Sequence, residues 1–399
     1  MTRSEFEMPN FPTFANWDGI SRFFPVQNDS VWLNYCGTTP VSTYTIDVLK
    51  LYLDEYAKHG IFSPNFSEPV IKSEIRKYIA KILNVTPEEI GIVHNTSEGM
   101  NLYSHSIQIP GNKRILILEN EYPSNVYPWE HWTKKNVTLD FVSIGKSPSD
   151  FLTNLETECK KGDVHLVSIS PVHWCTGMVL DMEKVSGICQ TYNVRLVVDG
   201  SQAVGHTKLD FQKTKVDFCA FAAWKWLLGP LGLGVIYIAK ENSKNFQLVF
   251  KGQASVVNDS SYFPYRDEWK SPADQFEQST SNFNDWIYFY ASLRMLDSLG
   301  FDRVRERIYE IAELMRNMLH SLGFTLENDG YANIKTGILA ITGHKDPTQF
   351  RPEEIQSFLK KKKIITAVRL GRLRMAPHIA IEPVHVEKIK LALEEFLNQ

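Results

Sequence analysis

No apolar run in this chain reaches the ~18 residues that a membrane-crossing helix requires. Its first residues, with Arg3, Glu5 and Glu7 ahead of Pro9 and Pro12, contain no apolar core of a secretion signal. Cysteine is sparse: the five, at positions 36, 159, 175, 189 and 219, form no CxxC pair and share no metal-type spacing with histidine. Neither a zinc site nor a disulfide framework is supported by that pattern. Charge is balanced, with 43 Lys and Arg against 46 Asp and Glu, so there is no global attraction to nucleic acid or to an anionic membrane. The local cluster Lys360 to Lys363 follows a helical pattern and reads as a solvated helix end. No internal repeat or low-complexity linker is present. A cytoplasmic enzyme acting on a small molecule, without nucleic-acid or membrane partners, is the expectation these absences leave.

What is present is enough for two substantial cores, since 43% of the 399 residues are apolar. Short apolar runs recur as buried strands at 90–94, 114–119, 137–144, 165–171, 195–199, 218–223 and 234–239. Helical spacing separates most of them, for example Val185, Ile188 and Cys189 within 182–192. Strand alternating with helix predicts an α/β fold with a mostly parallel sheet sandwiched by helices. Such sheets bind ligands at the carboxyl ends of their strands. Helices are expected at 43–59 and 69–83, before the alternating part. From residue 282 the pattern changes to a long helix over 286–299 continued at 303–322, then strands near 338–342 and 364–369 and a closing helix over 384–396. The division expected is an N-terminal arm (1–30), a large domain (31–281), and an interdomain helix with a smaller α+β domain (282–399).

Lys225 stands out chemically. It lies in Ala222-Ala223-Trp224-Lys225-Trp226-Leu227-Leu228-Gly229-Pro230, an otherwise apolar run. Desolvation disfavours an ammonium there and lowers its pKa, which makes the amine a nucleophile able to form a Schiff base with a carbonyl. Pyridoxal 5'-phosphate (PLP) is the recurring cofactor for that chemistry, and its pyridinium nitrogen wants a carboxylate partner. Asp199, ending the strand-like Val194 to Val198 run, is the candidate. Asn95-Thr96-Ser97-Glu98-Gly99 follows a strand and opens a helix, where unpaired N–H groups and the hydroxyls of Thr96 and Ser97 suit a phosphate. A plain N-cap explains the same residues equally well.

These segments, with Gln202, Val216-Asp217-Phe218, Gly232-Leu233-Gly234, Asn34-Tyr35-Cys36-Gly37-Thr38, Glu121-Tyr122-Pro123-Ser124-Asn125, Thr176-Gly177, Phe276-Glu277-Gln278-Ser279-Thr280 and Arg372-Leu373-Arg374, resemble the PLP-dependent class V aminotransferases in order and over nearly the whole chain. That group includes cysteine desulfurases, selenocysteine lyase, cystine lyases and isopenicillin N epimerase-like proteins. The resemblance implies a fold-type I PLP enzyme with a large and a small domain. It implies Lys225 as the residue that carries the cofactor, Gln202 as a hydrogen-bond donor to the cofactor's phenolic oxygen, and Tyr122 as the aromatic that stacks on its ring. Tyr122 stands where desulfurases have histidine. Near the phosphate this chain has Ala222 and Trp224 where desulfurases commonly carry serine and histidine. Thr280 is implied to reach a second subunit's phosphate, making the unit a homodimer. Arg374 is implied as the clamp on a substrate α-carboxylate, with Arg369 and Arg372 near enough in sequence to share or replace it.

Desulfurases also present a nucleophilic cysteine on a loop of the C-terminal portion, and this chain has no cysteine after Cys219. Its lack disfavours a persulfide-forming desulfurase and leaves a C–S lyase or an aminotransferase, with an amino-acid epimerase third. A non-catalytic PLP-fold binding protein is the rival of another class. Cys36 and Cys175, beside family landmarks, could face the site. His206 reads as a packing histidine.

Overall fold

The structure, a computed structural model, describes residues 8–257, 261–270, 273–331 and 335–399. The first seven residues of the expected arm lie outside the described residues. Seven strands build the large sheet: β1 (Ile90–Val93), β2 (Arg114–Leu118), β3 (Thr138–Val142), β4 (Val164–Ile169), β5 (Arg195–Asp199), β6 (Phe218–Ala222) and β7 (Gly234–Ile238). Their spatial order is β1-β7-β6-β5-β4-β2-β3. Every neighbouring pair is parallel except the two that involve β7. Alternate residues of one strand enter two different cores. Ile115 and Ile117 pack with Met100, Tyr103 and Trp129 on one side, and Leu116 and Leu118 pack with Phe151 and Leu155 on the other. Both faces are therefore covered, which is why the strands read as unbroken apolar runs.

Two successive antiparallel pairings return β1 to the direction of β6. The carboxyl ends of β1, β2, β4, β5 and β6 thus open on one edge of the sheet, as the strand-to-ligand rule for open α/β sheets requires. Gly234 allows the closest approach along that edge. A Cβ there would sit 2.8 Å from the backbone of Asn95, the residue that begins the helix after β1.

Helix α1 (Thr43–His59) and helix α2 (Glu68–Leu83) precede the sheet, and α3 (Thr96–Ser106) follows β1. Helix α4 (Pro148–Cys159) follows β3 and α5 (Met182–Thr191) follows β4. Helix α6 (Phe283–Leu299) contributes Trp286, Phe289 and Leu293 to the large core, and α7 (Phe301–Ser321) passes from that core into a second one. The second core lies under an antiparallel sheet of order β10-β11-β9-β8, formed by β8 (Phe324–Leu326), β9 (Leu339–His344), β10 (Ala367–Arg369) and β11 (Arg372–Met375). Helices α8 (Pro352–Lys361) and α9 (Pro383–Leu397) cover it.

The single strand expected over 364–369 is two. Ile364–Ile365 pairs in parallel with Val31–Trp32, and the chain then turns into β10. Val31 and Leu33 pack in the second core, so the start of the large segment is stitched to the C-terminal part. Among the described residues no helix is long and apolar enough to cross a membrane.

A charged cluster anchors the stretch that leads to Thr280. Arg76 Nη2 on α2 lies 2.6 Å from Asp274 and 2.7 Å from Glu277, and Lys72 pairs with the same two carboxylates. Glu277 also accepts a hydrogen bond from the amide of Ile92 in β1, at 3.1 Å. Breaking a buried pair leaves an uncompensated charge. Arg76→Leu should lower the unfolding free energy by about 2–3 kcal/mol, Lys72 retaining part of the cluster. Lys77→Met, which removes an exposed pair with Glu74, should change it by less than about 0.5 kcal/mol. Equal denaturant midpoints for the two variants would contradict this anchoring role.

Candidate active site

Five strand ends and two strands of the small sheet converge on a cavity of about 700 Å³. Thr96, Ser97, Tyr122, Gln202, Trp224, Lys225 and Arg374, all anticipated from the sequence, line it together. Asp199 is buried at the end of β5, within electrostatic reach of Lys225. Thr280 is exposed and does not line the cavity of its own chain.

Lys225 sits in the turn after β6, where Leu228 takes a positive φ of 56° and Gly229 closes back on Ala223 through a 2.9 Å amide bond. Burial is the largest influence on its amine and lowers the pKa, while Asp199 opposes it. Asp199 is held by the amide of Ser201 at 2.9 Å. Its own pKa is raised, first by burial, with Lys225 and the Ser201 hydrogen bonds acting the other way. A buried carboxyl facing a cavity is a ready partner for a protonated ring nitrogen.

The opening turn of α3 is pinned by Asn95, whose side chain accepts from the amide of Glu98 at 2.9 Å. Four hydroxyls gather there in two pairs: Thr96 with Ser201 at 2.9 Å, and Ser97 with Ser124 at 2.8 Å. They put hydroxyl donors at the start of α3. Gln202 is fixed at both ends, its oxygen accepting from the Trp226 indole at 3.0 Å and its nitrogen donating to the Cys36 carbonyl at 2.8 Å. One amide hydrogen is left over. His206 accounts for that rigidity: it stacks on Trp226 with ring centroids 4.2 Å apart and lies 3.0 Å from the Gln202 carbonyl. The packing role expected for it holds.

Tyr122 stands with its ring 5.7 Å from the Lys225 ammonium and edge-on to Trp174 at 5.5 Å. Arg374 is buried on β11 and donates to the Trp174 carbonyl at 2.6 Å, while its Nε is buried with no hydrogen-bond partner among the described residues. Arg374 lines the cavity, and a guanidinium there fits an anionic ligand. Arg372 is already committed to a two-point pair with Glu327, at 2.7 and 3.1 Å, and does not line the cavity.

The two cysteines part company. Cys36 lines the cavity close enough to influence the charge of Lys225. Cys175 does not; it lies in a separate small cavity with its sulfur 3.4 Å from the Arg369 carbonyl. The residue before it, Trp174, is the one that faces the site.

Glu121 stands in a family landmark directly before Tyr122, but the sequence indicated no role for it. It is buried, accepts from Ser170 N at 2.6 Å, Ser170 Oγ at 2.8 Å and Tyr122 N at 3.1 Å, and so orients the segment that carries the aromatic ring. Ser201 and Asn34 were also missed; Ser201 could have been found as the hydroxyl between Asp199 and Gln202.

The sequence model of the aminotransferase class-V family matches residues 31–387. This chain belongs to the aminotransferase class-V family. It is 26% identical to a probable cysteine desulfurase of Pyrococcus abyssi (strain GE5 / Orsay), covering 89% of this chain and 87% of that protein. It is 25% identical to the uncharacterized aminotransferase YcbU of Bacillus subtilis (strain 168), covering 90% and 92%. Among solved structures, the cystine C–S lyase C-DES in complex with its product cysteine persulfide superposes with a TM-score of 0.83 at 21% identity, over 94% of this chain and 99% of that one. A C-DES mutant with glycine linked to its PLP cofactor gives 0.84 at 20% identity, over 94% and 98%. The fold is that of fold-type I PLP enzymes. PLP fits the residues present: a hydroxyl-rich helix start for its phosphate, a buried carboxyl for its ring nitrogen, and a desolvated amine facing the cavity.

Burial raises the Glu121 carboxyl to about 7, with Asp199 adding to the effect. An acid whose pKa is higher folded than unfolded stabilises the fold when protonated. That contribution is full at low pH and fades as pH rises from the ordinary carboxylate range towards about 7. Melting temperature of the cofactor-free protein should therefore fall across that window, and Glu121→Gln should flatten the fall. An unchanged slope in the variant would show that Glu121 does not titrate there.

Proposed function

We propose that this protein is a PLP-dependent enzyme that cleaves the Cβ–S bond of an L-cysteine derivative, releasing a thiol, pyruvate and ammonia. The observation that carries the reading is the Lys225 amine, desolvated and within electrostatic reach of buried Asp199, lining one cavity with Arg374. Thr96, Ser97, Ser124 and Ser201 would hold the cofactor's phosphate, Asp199 its ring nitrogen, Gln202 its phenolic oxygen and Tyr122 its face. Trp224 would wall the phosphate end. Bound PLP supplies the electron sink that stabilises negative charge at the substrate Cα.

Each remaining step belongs to a side chain. Arg374 holds the α-carboxylate and so presents the Cα–H bond to Lys225. The Lys225 amine takes that proton as general base. The Cβ–S bond then breaks with its electron pair leaving on sulfur, which accepts a proton and departs as the thiol. Water converts the three-carbon remainder to pyruvate and ammonia. An aminotransferase would need Lys225 to return the proton to the cofactor side instead. Cystine lyase activity in the C-DES relative, with no cysteine beyond Cys219 here, favours elimination.

The same reading includes a cytoplasmic homodimer in which the exposed Thr280 reaches the partner's phosphate site, and a chain divided into an arm, a large domain to residue 281 and a small domain beyond it. Purified holoenzyme supplied with S-substituted L-cysteines should release pyruvate and thiol in equal amounts, and with cystine it should release pyruvate and cysteine persulfide in equal amounts. Conversion of an added keto acid to an amino acid without thiol release would instead identify an aminotransferase.

Arg374→Ala should raise KM for L-cysteine derivatives by about 30-fold or more, the worth of a charge-assisted contact of about 2 kcal/mol. A decarboxylated amine analogue should not feel the change; an equal loss towards it would make the arginine structural. After incubation with L-cysteine, intact-mass analysis should reveal no stoichiometric persulfide on the protein. One that vanishes in Cys36→Ser would restore the desulfurase alternative.

A further inference from the structure

The cavity lining carries three cationic side chains, Lys225, Arg369 and Arg374, and among the described residues no carboxylate. Two of the three have tasks in the proposed reaction. Arg369 has none. It is exposed at the end of β10, and among the described residues its guanidinium makes one hydrogen bond, from Nη1 to the Val368 carbonyl of its own strand, at 2.7 Å. Among the described residues no acid pairs with it.

Its backbone, by contrast, is fixed from both sides. The Cys175 thiol donates to the Arg369 carbonyl at 3.4 Å. Leu370 and Gly371 complete a tight turn at φ 48° and 72°, and Arg372 anchors the returning strand to Glu327 through two contacts. In the β10–β11 register Arg369 faces Arg372, whereas Arg374 lies two positions deeper, opposite Ala367. One hairpin therefore presents a buried guanidinium inside the cavity and an uncommitted one at its mouth. An unpaired cation on a rigid backbone, at the mouth of a cavity whose one neighbouring acid, Asp199, is buried beside Lys225, favours a ligand with a second negative group, held away from the first.

We propose that Arg369 is a specificity-determining residue that binds a distal anionic group, carboxylate or sulfonate, on the sulfur substituent of the substrate. The proposal rests on the C–S lyase reading and narrows it to cysteine derivatives with an acidic S-substituent.

The test compares S-carboxymethyl-L-cysteine with its neutral isostere S-carbamoylmethyl-L-cysteine on the holoenzyme. Affinity is measured by calorimetry and turnover by thiol release. The acid should bind about tenfold more tightly than the amide, and the advantage should shrink as salt rises, since a partly exposed ion pair is screened. In Arg369→Ala the ratio should fall to near one, and in Arg369→Glu it should invert. S-sulfocysteine follows the acid if any anion suffices and follows the amide if the site is built for carboxylate.

Equal affinities in the wild type, or loss of affinity for both compounds by the same factor in Arg369→Ala, would overturn the proposal. So would a dimer that dissociates in Arg369→Ala, which would assign the side chain to a subunit contact. Absence of thiol release from every compound, with the tenfold affinity ratio intact, would instead remove the lyase reading and leave the anion subsite standing.

Discussion

Burial and a carboxylate pull the Lys225 amine in opposite directions, and the arrangement of the large sheet makes both act at one point. Its turn is roofed by Trp226 and Leu227 in the core, which removes the water that would stabilise an ammonium. Asp199, one strand away at the end of β5, supplies a negative charge that opposes the effect of burial. Moving either strand end by a residue would turn its side chain to the opposite face of the sheet. The glycines and the positive-φ leucine around the loop let the chain double back without displacing the amine.

From that pair the rest of the site follows outward. Ser201, bound to Asp199 through its amide, turns its hydroxyl to Thr96 and so joins the carboxylate to the start of α3. Gln202 is locked between Trp226 and the Cys36 carbonyl, which ties the Lys225 loop to the segment after Val31–Trp32. That segment is in turn bound to the small sheet: Val31–Trp32 pairs with Ile364–Ile365, and Asn34 bridges to Ala376 beyond β11. Arg374 closes the circuit by crossing from the small sheet to the Trp174 carbonyl of the large one. Arg374 and the Lys225 amine are thus held in one frame, the geometry that orientation-based catalysis requires.

Much of this was legible in the sequence because it rests on local rules. Strands buried on both faces must be apolar throughout, and so six of the seven are apolar runs, within a residue or two of their observed ends, while the edge strand β3 keeps Thr138 and Phe141 exposed. The site residues lay in segments whose order matched a known family, and most of them meet in one cavity. What stayed hidden depends on neighbours distant in sequence. Glu121 is informative because Ser170 and Asp199 surround it, and nothing adjacent to it indicates either. Cys36 and Cys175 look alike beside their landmarks, yet only the fold turns one into the cavity and the other to the back of a hairpin. The break of 364–369 into two strands has the same origin, since Ile364–Ile365 pairs with a segment more than 300 residues earlier.

The account depends most directly on which amine carries the cofactor. The purified holoenzyme should be reduced with borohydride, digested, and searched by mass spectrometry for the pyridoxyl-bearing peptide. The label should lie on Lys225 in the peptide that contains Trp224 and Trp226, and Lys225→Ala should abolish it. A label on any other lysine, or full labelling retained in Lys225→Ala, would contradict the central assignment.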